Sequence, residues 1–128
     1  MKYLLILIAT IFILINTVYF YAQDNRWVLY YNNEFTEYYI DNETISYQDK
    51  YVYIWEKQIP LSLSKDANGN INYSLLKIKI NCTELSYEVL SITTYYSNGT
   101  YIDDDNLSDK FYAKPNSLRE KTIKFVCK

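Results

Sequence analysis

Histidine is absent from this 128-residue chain. Acid–base chemistry near neutral pH would therefore need a strongly shifted side chain, and a Cys/His zinc cluster is excluded. Glycine is nearly as scarce, at two residues, so no glycine-rich phosphate loop can be built. Basic residues are in no excess. Thirteen Lys and Arg face 15 Asp and Glu, which leaves no cationic footprint for nucleic acid. Cysteine occurs only as Cys82 and Cys127, without the Cys-x-x-Cys spacing of a redox pair.

Tyrosine is what the chain has in abundance, 16 of them, among many Asn, Ile and Lys. That bias fits an AT-rich genome. It is also the raw material for cross-strand packing or for a contact surface.

The N-terminus reads as a targeting segment over residues 1–22. Lys2 is basic, residues 4–15 are almost wholly aliphatic, Asn16-Thr17 interrupts, and the apolar run resumes to Ala22. A core of about 12 apolar residues suits a secretory signal, whereas a membrane span needs about 20. Phe20 is a poor fit for the small residue wanted before a cut at Ala22, so an uncleaved anchor is the alternative. No cysteine is present there to carry a lipid. The chain is expected to be exported, to the periplasm or the cell surface, with residues 23–128 as one domain.

Leu76, Ile78, Ile80 and Cys82 alternate with Lys77, Lys79 and Asn81. This period of two predicts a strand with Cys82 facing the core. In an oxidising compartment an even cysteine count implies a bridge. A Cys82–Cys127 disulfide closing about 45 residues would contribute roughly 4 kcal/mol by chain entropy.

Further strands are predicted over residues 27–31, 35–40 and 51–57, with a short extended piece over 44–46. Pro60 ends the third of these or places it at an edge. Residues 64–70 read as a polar loop. Residues 87–96 and 100–102 read as a hairpin closed by a two-residue Asn98-Gly99 turn. That turn would pair Ser97 with Thr100, Tyr96 with Tyr101 and Tyr95 with Ile102. Residues 110–113 form a last short strand. Ser117 with Glu120 three residues on is a capping box for the one helix. Leu118, Thr122, Phe125 and Val126 share its apolar face, flanked by Ile123 and Cys127. The expectation is an α+β fold: a single antiparallel sheet of about six strands, a C-terminal α-helix packed on it and one disulfide.

The order of these signals resembles the surface-adhesin protein E family of bacterial exported proteins. The pieces that carry it are Trp27, Tyr39-Ile40-Asp41-Asn42-Glu43-Thr44-Ile45, and residues 52–57 with Trp55. They continue with Lys77-Ile78-Lys79-Ile80-Asn81-Cys82, Tyr95-Tyr96 with Gly99, and Lys114-Pro115-Asn116-Ser117 running to Val126-Cys127. The resemblance implies a small antiparallel sheet, a C-terminal helix and a disulfide. It also implies a surface protein that binds host matrix or plasma proteins, and it leaves a homodimer open.

Chemistry-bearing clusters are few. Asp103-Asp104-Asp105 with Asn106 and Asp109 could offer oxygens to calcium, but the spacing matches no calcium loop, and a solvated turn accounts for it. Glu34, Glu37, Asp41 and Glu43 could supply an acid pair, but alternation puts some on the wet face of a strand. The Asn-x-Ser/Thr sequences at Asn42, Asn72, Asn81, Asn98 and Asn106 are expected by chance in an Asn-rich chain. Tyr30, Tyr31, Tyr38, Tyr39, Tyr51, Tyr53, Tyr95, Tyr96 and Tyr101 are more informative. Neighbours in a strand face opposite ways, so one of each pair is a candidate for exposure. Tyr96 and Tyr101 are the leading candidates for a binding contact. No catalytic, cofactor or metal site is expected. The function expected is a non-enzymatic exported binding module for a host matrix or envelope protein. The alternative is a periplasmic structural or accessory protein. Membrane contact would come only through an uncleaved N-terminal segment.

Overall fold

The computed structural model describes residues 25–105, 107 and 109–128; the expected targeting segment lies outside them. The elements are β1 (Trp27–Asn32), β2 (Thr36–Asp41), β3 (Ser46–Gln48), β4 (Tyr51–Pro60), β5 (Ser64–Asp66), β6 (Gly69–Asn81), β7 (Ser86–Tyr96), β8 (Tyr101–Asp104), β9 (Lys110–Tyr112) and α1 (Leu118–Val126). All pairings are antiparallel, in the order β1-β2-β4-β6-β7-β8. The short strands β3, β5 and β9 add to β4, β6 and β7. Among the described residues nine strands thus replace the expected six or so. β9 coincides with the short strand expected over 110–113, and the surplus lies in short pieces such as β3 and β5. One of them, β5, turns the expected polar loop into a hairpin in which Asp66 pairs with Gly69.

Alternation sorts the long strands into two faces. Val52, Ile54 and Glu56 of β4 lie on the inner face, opposite Ile80, Ile78 and Leu76 of β6. With Ile40 they form the core, capped by Ile123 and Val126 of α1. Burying each such aliphatic side chain contributes about 1.5–3 kcal/mol. The apolar stripe of the helix is centred on Thr122, Ile123 and Val126, so Ile123 belongs to its middle and not to its flank.

A helix of nine residues is marginal alone. Here it is fixed at both ends. Ser117 Oγ accepts from the Glu120 amide at 3.2 Å. The returning arm of the cap is displaced by one residue: Glu120 accepts from the Asn116 amide at 2.7 Å. At the other end Cys127 is bonded to Cys82, with Cα atoms 5.7 Å apart across 45 residues of sequence.

Three bulges break the register, placing Tyr30, Asn72 and Leu90 as extra residues in β1, β6 and β7. A bulge re-aims the side chains around it. The one in β1 turns both Tyr30 and Tyr31 toward the helix. Tyr30 meets Phe125 at 5.7 Å between ring centroids, and Lys121 lies 4.1 Å from the centroid of Tyr31. Strict alternation would have sent one of the two outward.

The β7–β8 hairpin corrects a second expectation. Tyr95 pairs with Tyr101, and Thr94 with Ile102. The Tyr96 carbonyl accepts from the Gly99 amide at 3.0 Å, and the Tyr96 amide donates to the Thr100 carbonyl at 2.9 Å. Gly99 has φ 85°. The loop is therefore three residues, Ser97-Asn98-Gly99, with Gly99 at the left-handed bulge position. Asn98 is thus the middle residue of the loop and not the first of a two-residue turn; its side chain accepts from the Thr100 amide at 3.0 Å. The register shifts by one residue and exchanges which tyrosine meets Tyr101.

Candidate binding face

Behind the core, Glu56 is fully buried. Its Oε2 accepts from Tyr30 Oη and from Arg119 Nη1, each at 2.6 Å, and its Oε1 accepts from Gln58 Nε2 at 2.7 Å. Thr122 Oγ1 sits 3.0 Å from Tyr30 Oη. Burial first, and then the Glu56 carboxylate, push the Tyr30 hydroxyl far up, so it stays a donor. Burial works against the charge of Arg119, but Glu56 outweighs it and raises the guanidinium further. The cluster is fully satisfied and faces the helix, so its role is structural. Its sequence signal was the phase of Glu56 with Val52 and Ile54.

The opposite face of the sheet carries no helix among the described residues. It is built from one side chain in two along each strand. Tyr51, Tyr53, Trp55 and Lys57 come from β4. Directly across on β6 are Lys79 opposite Tyr53, Lys77 opposite Trp55, and Leu75 opposite Lys57. Tyr39 of β2 also faces Lys57. Aromatic rings and ammonium groups interleave. Lys57 Nζ lies 5.5 Å from the Trp27 ring centroid and 4.9 Å from that of Tyr73. Lys79 lies 4.5 Å from Tyr51, and Lys77 lies 5.8 Å from Trp55. Such contacts hold a cation over a ring face at a gain of about 0.5–1 kcal/mol where exposed. Tyr73 and Tyr95 stack at 4.6 Å, and Tyr95 meets Tyr101 at 5.8 Å, which continues the aromatic row to the sheet edge.

The two tyrosines singled out from sequence separate here. Tyr101 is 61 % exposed, whereas Tyr96 is buried. Tyr96 points to the inner side, and its hydroxyl donates to Asp66 at 2.8 Å. Because of the one-residue register shift, Tyr95 takes the outward position beside Tyr101.

The acidic candidates do not converge. Asp41 is buried and binds Arg26 at 2.7 Å. Burial opposes its charge, but the Arg26 guanidinium, the Thr44 hydroxyl and the Glu43 amide hold its carboxyl below the ordinary range. Glu37 accepts from Tyr39 Oη at 2.7 Å. Asp103 and Asp104 pair with Thr93 and Ile92 along β8 and so face opposite ways. Asn106 lies outside the described residues. Among those residues no group of three or more Asp, Glu or Cys gathers around one point.

Two clefts lined by described residues bear on the candidate site. One, of about 560 Å³, lies between β9 and the start of α1, lined by Tyr87, Phe111, Lys110, Lys114 and Arg119 among others. Its charges are largely committed, Lys110 to Glu84 and Arg119 to Glu56. The other, of about 440 Å³, lies on the open face between Thr44, Ser46 and Gln48 on one side and Tyr53, Trp55 and Lys77 on the other.

The model of the family described as surface-adhesin protein E matches residues 27–128. This chain belongs to that family. No curated relative matches at the level of sequence. Among solved structures, crystal form II of Haemophilus influenzae protein E is similar, with TM-score 0.61 and 13 % identity. The match covers 80 % of this chain and 87 % of that one. The selenomethionine form of Haemophilus influenzae protein E gives TM-score 0.60 at 13 % identity, covering 80 % and 85 %. Protein E from non-typeable Haemophilus influenzae gives 0.58 at 13 %, covering 80 % and 75 %. At that identity the structural likeness establishes the shared fold. Membership of a surface-adhesin family supports a surface adhesin role and points away from an enzyme.

Proposed function

We propose that this chain is a non-enzymatic exported module that recognises a protein partner, of the host matrix or the envelope, through its open sheet face. The observation that supports the reading is the uncovered row running from Trp27 through Lys57 and Tyr73 to Tyr95 and Tyr101. Half-exposed tyrosine and tryptophan offer apolar area and a polar tip at little entropic cost, which is the composition of protein contact surfaces. The inner face, by contrast, spends its side chains on the helix, the Glu56 cluster and the disulfide. Tyr101 keeps the binding role expected for it; Tyr95 replaces Tyr96 beside it.

The test is binding of the purified domain to immobilised matrix proteins and to envelope extracts, comparing wild type with Tyr73→Ala and Tyr101→Ala. Loss of capture in both variants, with unchanged melting, supports the reading. Capture unaffected by either variant, or no capture at all, overturns it. Protease accessibility on intact cells supports display at the surface, whereas protection favours the periplasmic accessory role.

A further inference from the structure

The cleft beside Trp55 exists because the ladder on that edge of β4 is interrupted. Ile40 of β2 pairs with Glu56, and Ser46 of β3 pairs with Tyr53. Ile54 and Trp55 fall between and have no partner residue on that side. The turn between the two strands is held away from β4. Asn42 donates its amide to the Arg26 carbonyl at 2.7 Å, Thr44 donates its amide to Asp41 at 3.4 Å, and the Asp41 carboxylate is clamped by Arg26. Ser46 and Gln48 alternate onto the open face with Tyr53 and Tyr51, which they oppose. The result is a recess with an aromatic wall, a hydroxyl, a side-chain amide and a lysine.

The lysine carries the most information. Lys77 is exposed and makes no salt bridge to a described residue; its ammonium lies 5.8 Å from the Trp55 ring centroid. Its neighbour Lys79 is paired with Glu88 at 3.2 Å. The same face also carries Lys57, held over the Trp27 and Tyr73 rings. A ligand that fits presents an apolar face to Trp55, several hydroxyls to Ser46 and Gln48, and an anionic group to Lys77. A sugar ring bearing a carboxylate or sulfate has all three. An added peptide strand does not fit, because the unpaired stretch is two residues long and closed by β2 at one end and β3 at the other.

We propose that this cleft is a subsite for one acidic sugar unit of a polysaccharide. The ring would stack on Trp55, and the acid group would meet Lys77. The inference rests on the reading that the open face is the binding face, and it adds a ligand class to it.

The test is calorimetric titration of the exported chain with a chondroitin sulfate tetrasaccharide, with chitotetraose as the neutral control and hexaglutamate as the acidic peptide control. Saturable binding of the sulfated tetrasaccharide alone is expected. It should weaken about tenfold, or about 1.4 kcal/mol, in Lys77→Gln and in Trp55→Ala. It should not weaken in Lys121→Gln, which makes the same charge change on the helix side. Thermal melts check that each variant is folded. No saturable binding of the tetrasaccharide overturns the proposal. So does equal binding of either control, or equal loss in Lys121→Gln. Capture of matrix proteins, measured on the same preparation, separates the two ideas. If capture persists without sugar binding, the subsite falls and the adhesin reading stands.

Discussion

Arg119, in the first turn of the helix, donates to the buried carboxylate of Glu56 at 2.6 Å. That pair fastens one end of the helix, as the disulfide at Cys127 fastens the other. Removing one member leaves a charge buried without its counter-ion, which typically costs about 3–5 kcal/mol. Arg119→Ala is therefore expected to lower stability in urea by about that much, and Glu56→Ala by a similar amount. The double variant Glu56→Leu/Arg119→Met should recover most of the loss, because it removes both charges. A double variant no more stable than either single one would show that the pair is not what holds the helix.

The disulfide gives a second expectation. Reduction, or Cys127→Ser, should cost roughly 4 kcal/mol, and mass spectrometry of the native chain should show no free thiol. A loss below about 1 kcal/mol would mean that the helix is held without the bridge.

Asp41 makes stability depend on pH. Its folded carboxyl sits below the ordinary value, so its contribution is fully present above the unfolded pKa. It fades as pH falls through the lower folded pKa. Asp41→Asn should cost about 1–2 kcal/mol near neutrality, since Arg26 is partly exposed and solvent screens the pair. The gap between wild type and variant in thermal melts should then close in acid. A gap independent of pH would place the effect in packing and not in charge.

Gly99 holds φ 85° in open space. Gly99→Ala therefore meets no neighbour and should cost about 1 kcal/mol from backbone strain alone, read as a fall in melting temperature of about 4–8 °C. No change would mean that the turn relaxes to another form.

Much of the architecture could be read from residue order, and the exceptions have causes. Long strands announced themselves by period two, and the pairing of Cys82 with Cys127 followed from the phase of one and the uniqueness of the other. β9 falls where the short strand over 110–113 was expected and β3 starts at the end of the extended piece over 44–46, whereas β5 did not announce itself, because three polar residues carry no period. The hairpin register missed by one residue because Asn98-Gly99 serves both two-residue and three-residue loops, and local chemistry does not choose between them. Tyr30 and Tyr31 turned the same way because a bulge adds a residue that periodicity cannot anticipate. The face proposed to bind was half visible. Alternating Tyr, Trp and Lys in β4 and β6 showed that one face is aromatic, but which face the helix covers depends on long-range pairing. Glu56 could have been found from its phase, had a carboxylate been admitted at a core position.

The two sides of this sheet answer to different demands. Trp55, Lys77, Tyr73 and Tyr101 can be exchanged without touching the cluster around Glu56 or the bond to Cys127. Selection on what is recognised can therefore rewrite one surface while the scaffold persists. A 13 % likeness that still superimposes on another member of the fold is the outcome such a separation permits, and relatives built this way are free to diverge in what they hold.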